Sequence, residues 1–365
     1  MSAIMTMEGP IGARMRVDGR EVDYFCGTSY YVMHGRAQVI EAACDATRRF
    51  GMGPGTLAAM QVYADLQEAL RDWFSAEHVT YMVSGYSGPM ALLQGVCEPD
   101  DLLLMDDATH YSIRDALPTL GAKVVTFAHM DPSGLEDALT ALAPGQRPVV
   151  VTDGVFPSSG DLAPLDAYRA ILDAYPDGRL IVDDSHGVGV MGANGRGALE
   201  HFGAEGPRSH VAGTLSKAFG GLGGIIPGDD VLRDRIRDRA LIMRGASMPP
   251  PAAAAAGLAS MRMLKADPTI RARLGANVRR MRDGLRGLGH DVADTPVPIV
   301  TLKDKGPDYE AIGAALAKRD IMVKAMAPGG YSDAPQDRAS MRIAVFSEHT
   351  TDQIDRLIAA MAELA

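Results

Sequence analysis

The stretch Leu180-Ile-Val-Asp-Asp-Ser-His-Gly-Val-Gly189 decides how the rest of the chain is read, together with Gly192-Ala-Asn-Gly-Arg-Gly197 and Ala212-Gly-Thr-Leu-Ser-Lys-Ala-Phe-Gly-Gly-Leu-Gly-Gly224. Leu180, Ile181 and Val182 are a short apolar run that stops abruptly at Asp183-Asp184. Such a run predicts the end of a buried parallel strand that offers carboxylates to a crevice. Val211-Ala212-Gly213 predicts a second strand end, followed by Thr214-Leu215-Ser216-Lys217. Lys217 stands after two hydroxyls and before Gly220, Gly221, Gly223 and Gly224. That is poor core material, and good material for holding a phosphorylated ligand close to the backbone.

Pyridoxal phosphate chemistry asks for these groups together. It needs an amine to take the aldehyde, a carboxylate to keep the pyridine nitrogen protonated, and hydroxyls with glycine N–H groups for the phosphate. Lys217 supplies the amine, Asp183 the carboxylate, and His186 can reach the ring's phenolic oxygen. Ser216-Lys217 alone reads more simply as a solvated glycine loop; three motifs in the right order reverse that reading.

The segment resembles the α-oxoamine synthase family of fold-type I pyridoxal phosphate enzymes, the aminotransferase class I/II group. The family pattern D-[DE]-[AS]-H-x-x-G-x-x-G-x-x-G-R-G stands here as Asp183 to Gly197, and G-T-L-[SG]-K-A-x-G as Gly213 to Gly220. The resemblance implies a large domain built on a mostly parallel, seven-stranded type of sheet between helices, and a small α+β C-terminal domain. It implies an N-terminal arm over 1–45, a cofactor domain over 46–255, and a linking helix with the small domain over 256–365. It also implies decarboxylative joining of an amino acid to an acyl-CoA, in a homodimer.

Carried over residue by residue, the resemblance places His110, in D-A-T-H-Y-S, on the cofactor ring. It puts the phosphate on Gly85 and Tyr86, which form a turn before a helix, and on the Thr214 and Ser216 hydroxyls. Ser247, in G-A-S-M-P-P, would reach the neighbouring subunit's phosphate, although Ala246 stands where a hydroxyl is expected. Arg342, in S-M-R-I-A-V-F, would pair with the substrate carboxylate, for which a guanidinium fork is suited. By the motif Asp183 takes the ring nitrogen, with Asp184 as the alternative.

Three departures surround the substrate. The arm reads Thr28-Ser29-Tyr30-Tyr31-Val32 where the family has N-D-Y-L-G, Pro157 replaces a serine, and Tyr63 replaces a histidine. They leave open a transaminase, racemase or aldolase acting at Cα, and a non-catalytic relative.

At 365 residues the chain can bury a large core. Its 47% hydrophobic and 22% charged residues are ordinary for a globular protein, and a net charge of −10 argues against sequence-independent nucleic-acid binding. No apolar run has transmembrane length, and residues 1–19 carry no signal-peptide core. Cys26, Cys44 and Cys97 make neither a metal spacing nor a disulfide set, so each is expected as a buried thiol in a reducing cytoplasm.

Along the chain, Ala13 to Val17 and Glu21 to Cys26 predict a two-stranded arm turned at Asp18-Gly19. Helical spacing of Val39, Ile40, Ala43 and Phe50 predicts a helix over 35–50, and Tyr63, Leu66, Leu70 and Phe74 another; GMGPGT at 51–56 is a turn. From 79 the runs VTYM, LLLM, KVVTF, PVVVTD and LIVDD alternate with helical stretches, a βα pattern with ligands at the strand ends. One long helix over about 251–287 then leads to the strands VPIVTL, IMVKAM and SMRIAVF and a closing helix from 350.

Overall fold

The computed structural model describes residues 5–55 and 59–364; Thr56 of the 51–56 turn lies outside them. Runs such as Leu102–Met105 and Val149–Val151 are buried on both sheet faces, which is why they read as unbroken apolar stretches. They belong to a seven-stranded sheet in the order His78–Met82, Gly224–Gly228, Ser209–Thr214, Arg179–Asp183, Pro148–Asp153, Leu102–Asp106, Lys123–Phe127. The last five are mutually parallel, whereas Gly224–Gly228 runs antiparallel to both its neighbours.

Sequence reading misses Gly224–Gly228 because it holds two isoleucines between glycines and contains Pro227. Proline avoids a central strand because it cannot donate to the ladder. Here Ser209–Thr214 pairs only with Gly224 and Ile225, so Pro227 lies past that ladder, beside Val79 alone.

In the parallel register Asp153 sits beside Asp183, and Asp183 beside Ala212. The carboxyl ends of these strands therefore align at one edge of the sheet, the place where such folds hold ligands.

The predicted helix over 251–287 is two helices, Pro251–Ala266 and Thr269–Gly287. Pro268 lacks an N–H and pushes the residue before it out of helical geometry, so Asp267 takes φ −128° and ψ 87°. The Asp267 carboxylate then accepts from the Thr269 N–H at 3.0 Å and starts the second helix.

IMVKAM likewise divides. Ile321–Met322 runs parallel to Arg20–Tyr24 of the arm, while Lys324–Met326 joins Ser340–Ala344 and Ile299–Leu302 in an antiparallel sheet. Buried Asp23 fastens the arm to the closing helix by accepting from Gln353 Nε2 at 2.9 Å and from Arg356. The arm hairpin turns on Asp18 and Gly19, both at positive φ.

Two local expectations fail. Ile40 is 41% exposed, and the helix Ala37–Phe50 buries the expected Val39 together with Ala46. Of the thiols only Cys97 is fully buried, Cys26 and Cys44 being partly exposed. Among the described residues no helix is long and apolar enough to cross a membrane.

Candidate functional site

A cavity of about 390 Å³ opens at the carboxyl edge of the large sheet, between it and the antiparallel sheet of Ser340–Ala344. Lys217, Asp183, His186, His110, Thr214 and Ser216 all line it, as do Gly85, Tyr86 and Arg342. Ser247 does not; it is exposed on the 245–250 segment, away from this chain's cavity.

The two adjacent aspartates part company here. Asp183 lines the cavity, whereas the Asp184 carboxylate turns to the glycine loop and accepts from the Ala198 N–H at 2.5 Å. Burial raises Asp184 to about 8. The Asn194-Gly-Arg-Gly part of the motif is structural too: Glu200 accepts from the Asn194 and Arg196 amides at 3.0 and 2.9 Å, and Arg196 pairs with Glu205.

Asp183 is held from two sides. Its Oδ2 accepts from the Ser112 hydroxyl at 2.9 Å and its Oδ1 from the Ser185 N–H at 3.1 Å. The neighbouring Asp153 is pushed well above the usual carboxylate range by burial, and then by the Asp183 charge. Asp153 still accepts from the His110 N–H at 2.8 Å and so sets where that histidine starts its short helix.

His110 lies with Nδ1 2.7 Å from the Ser112 hydroxyl and Nε2 3.0 Å from the Tyr331 hydroxyl. The Tyr86 ring meets it edge-on at 5.8 Å, and Tyr86 in turn bonds Asp115. His186 is buried, and burial holds it well below the ordinary histidine value, so it is neutral. Its Nδ1 lies 2.6 Å from the Tyr30 hydroxyl, which burial raises to about 12. Tyr30 keeps its proton and can donate it to Nδ1, the arrangement that leaves the hydrogen on Nε2.

Lys217 is brought down to about 8, first by burial, against the opposing pull of Asp183 and Asp153. Arg342 is buried, and Nε and Nη1 donate to the backbone carbonyls of Pro157 and Gly27 at 2.9 and 3.2 Å. The departing residue Pro157 thus anchors the arginine through its carbonyl. Thr28 and Pro157 both line the cavity, while Tyr63 lies elsewhere and donates to the Pro249 carbonyl.

The cradle for a phosphate is visible in the backbone. A Cβ on Gly85 would come within 2.6 Å of Thr214 Cβ, so only glycine lets that turn approach the lysine loop. The Gly85 N–H has no partner among the described residues, and Ser216 Oγ lies 3.0 Å from Thr214 Oγ1 beside it. An open amide, two hydroxyls, an amine and a fixed carboxylate on one cavity fit pyridoxal phosphate.

Tyr30, Ser112, Asp153, Tyr331 and Lys324 also belong to this site and were not singled out from the sequence. Ser112 had a local signal, two residues after His110. The others are brought in from separate segments by the fold.

A family model described as aminotransferase class I and II matches residues 28–361. The chain is 34% identical to an 8-amino-7-oxononanoate synthase of Methylococcus capsulatus, over 98% of this chain and 92% of that one. It is 31% identical to one of Thermosipho melanesiensis, over 96% and 90%. It superposes on serine palmitoyltransferase of Sphingomonas wittichii with a TM-score of 0.90 at 25% identity, covering 99% of this chain and 91% of that one.

Proposed function

The chain belongs to the aminotransferase class I and II family and, within it, to the α-oxoamine synthases; on that premise we propose that it joins an amino acid to an acyl-CoA thioester with loss of carbon dioxide. The observation that carries this reading is the placement of Lys217, Asp183 and Arg342 on one cavity. Pyridoxal phosphate, the family's cofactor, supplies when bound an aldehyde and a ring that withdraws electrons from the substrate's Cα.

In this reading Lys217 would hold the cofactor through its amine, which its lowered value keeps available as the free base. Asp183 would keep a proton on the ring nitrogen, and Ser112 and Ser185 keep that carboxylate from turning away. His186 would offer Nε2 to the phenolic oxygen, since Tyr30 occupies Nδ1. Gly85, Tyr86, Thr214 and Ser216 would hold the phosphate and His110 would lie against the ring, all of them lining the cavity. Arg342 would bind the α-carboxylate and so fix the orientation of the amino acid in the cavity. In the net reaction Cα gains a bond to the acyl carbon, the carboxylate leaves as carbon dioxide, and the thiol leaves with a proton.

The test is a panel of amino acids with and without acyl-CoA. Carbon dioxide and free thiol are expected in equal amounts and only when both substrates are present. Turnover of the amino acid at the same rate without acyl-CoA would replace this reading with a transaminase, racemase or aldolase.

The functional unit in this proposal is a homodimer. Ser247 is exposed and outside its own cavity, beside exposed Leu241 and Ile242, as a segment meant for a partner's site would be. Sedimentation is expected to show a dimer that persists through dilution across the range of activity assays. A monomer with full cofactor occupancy and activity would overturn it.

A further inference from the structure

Lys324 enters no step above, yet it lines the same cavity as Arg342. The two residues are direct partners across the antiparallel strands Lys324–Met326 and Ser340–Ala344. Directly opposed residues in such a pair project from the same sheet face, with Cβ atoms roughly 5 Å apart. Two cations in that position repel one another and destabilise the pair unless an anion lies between them.

No protein carboxylate fills that role among the described residues. Asp333 acts on Lys324 only at a distance and forms no ion pair with it, its Oδ2 accepting from the Ser158 and Ser159 amides at 2.9 and 2.7 Å. Asp183 is tied to Ser112 and Ser185, and burial pushes the neighbouring Asp153 well above the usual carboxylate range. The Cys26 thiol, next to both cations, is raised to about 12 by burial and carries no charge. The Lys324 ammonium instead lies 5.7 Å from the centre of the Tyr331 ring, on a side chain that is exposed.

The two cations also differ in stiffness. Arg342 is 5% exposed and fixed by the Pro157 and Gly27 carbonyls, which use two of its donors. It presents the remaining N–H groups at a defined point, as recognition of one carboxylate requires. Lys324 is a point charge on a flexible stem, able to follow a second acid on different side-chain lengths.

We propose that Lys324 and Arg342 form a two-cation face for an amino acid that carries a second carboxylate on its side chain, and that Lys324 selects this class. The inference rests on the reading above, in which Arg342 takes the α-carboxylate. Because the cations are cross-strand neighbours, the second acid sits within a few bonds of the first. That spacing favours an acidic amino-acid side chain over the far end of an acyl chain.

The test is spectroscopic titration of the holoenzyme with aspartate, glutamate and alanine, without acyl-CoA. In the parent the acidic amino acids are expected to bind more tightly. Lys324→Met should lower the aspartate-to-alanine affinity ratio by about tenfold or more, the loss of one charge-assisted contact. Lys324→Arg should restore most of it. An unchanged ratio, or equal weakening of alanine and aspartate, overturns the proposal. A second arm compares a plain acyl-CoA with one ending in a carboxylate. If Lys324→Met raises KM for the carboxylated donor alone, the second acid belongs to the acyl donor and the amino-acid assignment falls. Affinities read without acyl-CoA stand whether or not condensation is observed, so the two readings fail separately.

Discussion

Replacing Lys217 with alanine is expected to leave a folded protein that no longer attaches pyridoxal phosphate covalently. Turnover should fall by on the order of 10⁴-fold, the scale of losing a group that acts directly on the reacting atoms. The fold should survive because neighbouring Leu215 and Ala218 make the buried contacts of that loop, while the lysine faces the cavity. Borohydride reduction followed by intact-mass measurement checks the attachment. A mass increase of one cofactor in the alanine variant would show that another amine carries it. The lowered value of Lys217 adds a pH signature. Below about 8 the amine is increasingly protonated, so covalent capture by the apoprotein should slow by about tenfold per pH unit. Above that value the rate should level off. The same shift acts on stability: the unfolded chain keeps this proton up to the usual 10.5, whereas the folded one releases it above about 8. Between those values the unfolded state binds more protons, so this group's contribution to stability rises with pH.

Residues that make their own local structure were legible in the sequence. Leu180 to Val182 ended in Asp183 because a two-sided buried strand must stop where its side chains meet a ligand crevice. Lys217 and its glycines were legible because no core accepts that mixture. Residues that act through long-range register were not. Lys324 is one charge in a six-residue apolar run, and its meaning comes from facing Arg342 across a strand pair that forms only in the folded chain. Tyr30 looked like one of two arm tyrosines until folding set its hydroxyl against His186. The break at Asp267-Pro268 had a visible cause, but helical spacing on both sides concealed it. Gly224–Gly228 was invisible for the opposite reason, since its pairing is set by neighbours rather than by its own propensity.

Asp183→Asn separates holding the cofactor from activating the substrate. Asparagine keeps the shape, and the hydrogen bonds around it decide how it sits. The Ser185 N–H can only donate, so the amide oxygen must face it, which turns the amide nitrogen toward Ser112. The Ser112 hydroxyl can rotate to accept, so the site tolerates the change without rearrangement. An amide, however, cannot hold a proton on the ring nitrogen as a carboxylate does, and the electron-withdrawing form of the ring is lost. Asp153 does not step in: its carboxyl already accepts from the His110 N–H, which directs it to the helix start. Covalent attachment at Lys217 is therefore expected to persist, while exchange of a bound amino acid's α-proton in heavy water falls by on the order of 10³-fold. The comparison is made by proton NMR on both holoproteins without acyl-CoA. Exchange in the asparagine variant at the parent's rate would remove Asp183 from its role. Loss of attachment with no slower exchange per bound cofactor would recast it as a residue that only holds the ring.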